Sequence, residues 1–344
     1  MKTQYKTAVF MVCTIGFAIF LMSSTPKLTS VAMDDAGYVQ PTAYKNLITY
    51  QQKDMSVYQT VAASERKAEG FKKSVRNATK SRLSIPTGNK NSLEFQKEDP
   101  TAFFEQDLAS GKLAFNKGMN DYLKSGGRNL PKQEAANAIA MRFINESGLA
   151  PANKEEIKMM HSGGLRLATA GSDKQVDVFR TVSYGRFLDG VPVYGPSSKI
   201  IVHVGNNGEI VGANALWKEV SANKGTTVKK EAMKSAKEAE LEMNRRLATD
   251  FGKGARTKIK EMSLAYYDGG KSYIQPAYYF QIIVSLPKMK DTPATQFEYL
   301  GIVPALRKTP EAFEVLQQAP PEAKKVIGKA SEKEMKKDPR RDIE

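Results

Sequence analysis

The sequence predicts an α+β fold in which amphipathic helices pack on one face of antiparallel sheets. A helix pattern runs from Pro131 to Gly148, with apolar residues at intervals of four. Residues 199–204 then alternate between apolar and polar side chains, and residues 205–208 supply a Gly-Asn-Asn-Gly hairpin turn. The same order recurs after residue 226. We therefore expect two helix-plus-strands units.

The elements of the first unit follow in order along the chain. Leu93–Phe95 and Leu113–Phe115 flank a Ser-Gly turn and predict a hairpin that leads into a short helix at residues 119–123. After the helix over residues 131–148, the His-Ser-Gly-Gly stretch at residues 161–164 resembles a turn. Residues 176–184 then form an extended segment ahead of the hairpin over residues 199–213.

The second unit repeats this pattern with a longer strand pair. Apolar residues from Val228 to Leu247 recur with helical spacing, and Thr227 is a candidate cap. Met262–Tyr267 and Tyr273–Leu286 are strand candidates joined by an Asp-Gly-Gly turn. The tyrosines of this pair predict a cross-strand aromatic ladder, although half of them could instead form a peptide or glycan platform.

The N-terminus has the pattern of a secretory leader, which we place at residues 1–32. Two lysines precede an apolar run from Ala8 to Met22, which is shorter than the roughly 20 residues of a membrane span. Small residues at 30–32 predict cleavage after Ala32, with an earlier cut near residues 23–24 as the alternative. An uncleaved membrane anchor is the alternative to export. Cys13, the one cysteine, lies within the run, so the mature protein would have no thiol.

Polar segments flank the expected units. Residues 33–90 are predicted to be a polar arm and linker, with one helix candidate at residues 62–75. Residues 306–344 are dense in Lys, Glu and Asp and predict a disordered charged tail. The net charge of +15 predicts either a solvated basic surface or contact with an anionic envelope polymer or lipid. Nucleic acid has little support as a partner, because no arginine-rich block is interleaved with aromatics.

A resemblance to a known family enters at residues 179–212, which read FRTVSYGRFLDGVPVYGPSSKIIVHVGNNGEIVG. This stretch resembles the FTP segment of fungalysin and thermolysin zymogens, in its Gly-Val-Pro-Val step and in the following strand that ends in His-Val. The helix and strands after residue 222 are similar to the PepSY segment that accompanies it. The resemblance implies an FTP-like unit over residues 91–221 and a PepSY-like unit over residues 222–305. It also implies a stand-alone propeptide that inhibits a secreted peptidase, or assists its folding, in trans.

The Gly-Val-Pro-Val step also gives a physical reason for partner binding. Pro192 has no backbone donor, which predicts that its strand lies at a sheet edge or bulge. An exposed edge can pair with an extended peptide, although such edges are often blunted instead. The candidate partner-binding residues are Tyr184, Gly190, Val191, Pro192, Val193, Tyr194 and His203.

The residues of common catalytic sites are missing from the sequence. His161 and His203 are the two histidines, and no His-Glu-x-x-His motif exists to hold a catalytic zinc ion. There is no Gly-x-Ser-x-Gly elbow, and the two Ser-x-x-Lys matches, at residues 64–67 and 221–224, lie in polar surroundings. We therefore expect a protein that is not an enzyme and that binds no metal or cofactor, with an unrecognised active site as the alternative.

Overall fold

The computed structural model describes residues 30–33, 54–80, 83–88, 90–118, 122, 126–168, 175–221, 225–252, 254–288 and 294–313. Two compact units divide the chain. One comprises residues 1–43, 62–187 and 198–219, and the other comprises residues 44–61, 188–197 and 220–344. The chain therefore passes between the units more than once, and we call them the first and second unit.

Antiparallel strands build the first unit. They are β1 (Ser30–Met33), β3 (Ser92–Phe95), β4 (Ala102–Asp107), β5 (Lys112–Lys117), β6 (Ile157–Ala168), β7 (Gln175–Leu188, the last residue of which belongs to the second unit), β9 (Lys199–Val204) and β10 (Ile210–Leu216). Their order across the sheet is β3-β4-β5-β10-β9-β7-β6-β1. Val182 of β7, Val202 of β9 and Ala213 of β10 lie in register and are buried, so they mark the sheet's apolar face.

Two helices cover that face, and both were predicted in part. Helix α1 (Glu65–Thr79) begins at Ser64, whose hydroxyl accepts a hydrogen bond from the Lys67 amide at 3.2 Å. Its Phe71 lies with its ring centroid 6.0 Å from those of Phe104 and Phe115. Helix α2 (Gln133–Glu146) confirms the pattern read between residues 131 and 148, and its Ala136, Ala140, Phe143 and Ile144 are buried.

The second unit contains β2 (Met55–Val61), β8 (Val191–Tyr194), β12 (Thr226–Val228), β13 (Arg256–Asp268), β14 (Tyr273–Leu286), β15 (Thr295–Pro304) and helix α3 (Ala236–Phe251). The short strand β11 (Glu219–Val220) lies at the boundary between the units. β13 and β14 pair antiparallel over nearly their whole length, and β15 pairs with β14. Gly301 of β15 allows close packing of α3, since a Cβ there would lie 2.5 Å from the Met243 methyl group.

The predicted α+β class, with helices packed on antiparallel sheets as two helix-plus-strands units, is wrong. Strands make up 46% and helices 23% of the residues that the structure describes. The class failed because strands were missed: residues 161–164 within β6 were predicted to be a turn, and β2, β4 and β15 were not predicted. The sheet therefore dominates, and the helices are minority elements.

The predicted arm and tail contribute to the folded units where the structure describes them. The segment 33–90 contains β2 and α1, whose Met55, Phe71 and Val75 are buried. Near the other end, the ring of Phe313 stacks on Tyr267 at 4.5 Å. Most of the predicted leader (residues 1–29) and most of the predicted tail (residues 314–344) lie outside the described residues. Among the helices described, none has the length and hydropathy required to cross a bilayer.

Candidate functional site

The turn ahead of the Val-Pro-Val step is held by two tyrosines. Asp189 and Gly190 both have left-handed backbones, with φ of 51° and 73°. The Asp189 carboxylate accepts hydrogen bonds from the Tyr58 hydroxyl at 2.5 Å and from the Tyr266 hydroxyl at 2.7 Å. Burial, together with the bond to Asp189, raises the pKa of Tyr58 to about 12. Both phenols are therefore neutral donors that fix the turn.

The strand that contains Pro192 is paired along one edge with the chain's own β13. Val193 and Tyr194 stand beside Tyr266 and Tyr267 in a parallel pairing. Val191, Pro192 and Val193 are buried. The free edge expected beside Pro192 is thus occupied on this side. The expectation failed because the pairing joins residues more than 70 positions apart in sequence, which no local pattern reveals.

The other two predicted residues, Tyr184 and His203, lie in the first unit. The Tyr184 hydroxyl donates to the Asn137 carbonyl oxygen at 3.2 Å, and its side chain is buried. The His203 ring lies 4.8 Å from the ring of Phe179. Burial lowers the pKa of His203 to about 4, so the imidazole is neutral at pH 7. The seven predicted residues are therefore divided between two units, and most of them serve the core.

A strand edge that the sequence did not indicate carries an extended segment. β6 pairs with β7 on one side, and β1 pairs with it on the other. The register of β1 is antiparallel and regular, from Ser30 opposite Ala168 to Met33 opposite Leu165. β1 has four residues and β6 has twelve, so β1 covers the last third of β6. We call residues 165–168 of β6 the acceptor edge.

The glycines of β6 explain why this strand was read as a turn. A Cβ on Gly164 would lie 2.7 Å from the carbonyl oxygen of Phe179, on the neighbouring strand. Glycine is therefore required here by the close approach of two backbones, and not by a reversal of the chain. The apolar alternation of Leu165 and Leu167 is the sequence signal that could have identified the strand.

Two arginines and one aspartate lie next to the acceptor edge. The Arg166 side chain pairs with Asp177 of β7 at 2.9 Å, and Arg180 pairs with the same carboxylate at 3.2 Å. Asp177 is thus shared by two arginines. Arg166 also stands opposite Ala32 in the register of β1. The edge therefore combines backbone pairing groups with two arginine side chains that bind a carboxylate.

A buried ionic cluster lies deeper in the first unit. The Arg186 guanidinium lies 3.3 Å from the Glu156 carboxylate and 4.1 Å from the centroid of the Trp217 ring. Lys67 pairs with Glu219 at 2.7 Å. Burial raises the pKa of Glu156 and lowers that of Lys67. Because Arg186 is wholly enclosed, we assign this cluster to the structure of the unit and not to chemistry on a substrate.

The described residues offer no assembled metal centre. They contain no group of three or more His, Cys, Asp and Glu side chains able to hold a metal ion. A polar cleft of about 480 Å³ in the first unit is lined by residues that include Lys117, Tyr122 and Glu209. There the Glu209 carboxylate accepts hydrogen bonds from both Lys117 and Tyr122, so these groups satisfy one another.

Comparisons with known proteins add a likeness in structure. No protein-family model matches the chain, and no curated protein matches it. The chain is similar to the crystal structure of an uncharacterized protein from Eubacterium rectale, with 11% sequence identity and a TM-score of 0.43. That similarity covers 79% of this chain and 89% of the other.

Proposed function

We propose that this protein is an exported, non-catalytic protein-binding module that takes an extended segment of a partner onto the acceptor edge of β6. The observation that carries the proposal is the pairing of residues 30–33 with residues 165–168. A segment far away in sequence is seated there as an added strand. The leader pattern of residues 1–32 supports export, and the missing catalytic motifs support a binding role.

The physical basis is strand addition. The backbone N–H and C=O groups of an edge strand attract another extended chain, and the main-chain hydrogen bonds need no particular side chains. Each bond contributes about 0.5–1.5 kcal/mol net, so a segment of a few residues binds weakly unless flanking contacts add to it. The two arginines beside Asp177 could supply such contacts to an acidic partner.

The resemblance of residues 179–212 to the FTP segment suggests a secreted peptidase as the partner, inhibited or assisted in folding in trans. Purified protein should then form a complex with a secreted metallopeptidase or slow its activity. A pull-down of the chain from culture medium would identify the partner. If a panel of secreted metallopeptidases shows neither complex nor inhibition, this choice of partner is wrong, while strand addition is tested separately.

The direct test uses the chain without its own strand. The chain of residues 34–344 is titrated with a labelled peptide of residues 27–37, and binding is followed by fluorescence anisotropy. We expect saturable binding, which is lost when the peptide carries Val31→Pro and Ala32→Pro. In an antiparallel pair every second residue directs its N–H toward the partner strand, so one of two adjacent prolines always removes an N–H that would face β6. Equal binding of both peptides, or of neither, would overturn the proposal.

The net charge of +15 supports a second candidate, a basic envelope-associated protein held on an anionic cell-wall polymer or lipid. Binding to vesicles that contain anionic lipid, or to cell-wall preparations, should then fall steeply as salt rises, because a Debye length of about 3 Å at 1 M screens surface charge. Binding that persists above about 0.5 M salt would exclude this simple electrostatic attachment.

A further inference from the structure

We infer that the position of the leader cut decides whether β1 stays attached to the exported protein and occupies the acceptor edge. This inference rests on the proposed function, since it concerns regulation of the same site. The cut predicted after Ala32 falls inside β1, between the residues that stand opposite Arg166 and Leu165. The alternative cut near residues 23–24 leaves the whole of β1 attached.

The two cuts leave different edges. A chain that begins at Met33 keeps one of the four residues of β1 and loses those opposite Arg166, Leu167 and Ala168. One residue cannot maintain a strand pairing, so the acceptor edge is open to a partner. A chain that begins at Thr25 keeps all four residues, and its edge is occupied from within the same molecule.

Attachment to the chain gives the internal segment a large advantage. A tethered segment competes at an effective concentration on the order of millimolar, whereas a partner segment must reach the edge from solution. Because the backbone bonds formed by the two segments are alike, the tether decides the outcome. Cleavage inside β1 thereby converts a self-occupied module into one that can bind a partner.

The register also defines the partner segment that fits the open edge. A bound segment in the register of β1 places its third residue opposite Arg166, where β1 has Ala32. Its next residue after the strand would come opposite Gly164, which is paired with Arg180 on β7. In this chain the sequence after Met33 continues with two aspartates. The fitting partner is therefore an extended segment that has a small residue opposite Arg166 and acidic residues directly after the strand.

The experiment compares two mature chains, of residues 25–344 and 33–344, for binding of the labelled peptide of residues 27–37. We expect the longer chain to bind at least about tenfold more weakly, in line with the tether. The longer chain with Val31→Pro and Ala32→Pro is the matched variant, and it should regain the affinity of the shorter chain.

Each outcome has one meaning. Binding to neither the shorter chain nor the proline variant would refute the proposed function itself. Equal affinity for the 25–344 and 33–344 chains would leave strand addition intact and overturn only the inference on the leader cut. N-terminal sequencing of the exported protein then identifies which form the cell makes, and a start at Met33 is the result that we expect.

Discussion

His203 provides a quantitative test of how the first unit is packed. His203 is the penultimate residue of β9, with Nδ1 3.1 Å from the Thr181 hydroxyl and the ring against Phe179. Burial lowers the pKa of His203 in the folded protein to about 4, while an unfolded histidine has a pKa of about 6.5. Between these two pH values the unfolded chain binds more protons, so stability falls as pH falls.

The size of the effect follows from the two pKa values. Linkage predicts that His203 alone removes about 2 kcal/mol from the free energy of unfolding between pH 7 and pH 5, and about 3 kcal/mol by pH 4. Protonation of carboxylates also destabilises the protein in acid. The variant His203→Gln serves as the comparison, because it keeps the carboxylates and removes the imidazole. Urea unfolding of both proteins at pH 7, 5 and 4 measures the difference.

The expected result is that wild-type stability falls more steeply with acid than that of His203→Gln, by about the amounts given above. At pH 7 the variant should be the less stable protein, because the imidazole is neutral and packed there. If stability falls equally with pH in the two proteins, the pKa of His203 is the same in the folded and the unfolded chain. The half-buried position against Phe179 would then not shift the pKa of the ring as described.

Two further predictions concern the same unit. Gly111→Ala should destabilise it by about 1–3 kcal/mol, since Gly111 has φ +74° and its Cβ would lie 2.7 Å from the Trp217 carbonyl. Thermal unfolding should show a clearly smaller loss for Gly88→Ala, which has a similar φ of +87° but open space around it; equal losses would refute the steric reasoning. Arg186→Met should cost about 3–5 kcal/mol, because it leaves the Glu156 carboxylate buried without its ion-pair partner. In the background of Glu156→Gln that cost, measured by urea unfolding, should shrink, and an unchanged cost would show that the ion pair is not its source.

Local sequence signals predicted those elements whose pairing partners are close in the chain. The β9–β10 hairpin formed around the Gly205–Gly208 turn, where Asn207 adopts a left-handed backbone. A local signal also marks the start of α3, although the predicted position of the cap is wrong. The predicted cap is Thr227, but the helix begins at Ala236 and its cap is Ser235. Ser235 and Glu238 form a capping box that the sequence does contain.

Long-range pairing set the limit of prediction. The sequence predicted an edge beside Pro192, but that strand pairs with β13 because of contacts that no local pattern encodes. The acceptor edge was missed for a related reason. The two glycines of β6 resemble a turn in sequence, and the close approach of Gly164 to Phe179 becomes visible only across strands. The location of the candidate site thus depended on nonlocal structure.

The most direct measurement of the central claim is amide hydrogen exchange of the 33–344 chain, with and without the peptide of residues 27–37. Strand addition predicts that the peptide slows exchange in the segment 165–168, where β1 pairs in the structure, and that the double-proline peptide does not. If that segment exchanges at the same rate with and without saturating peptide, β6 is not the acceptor and the proposed function fails.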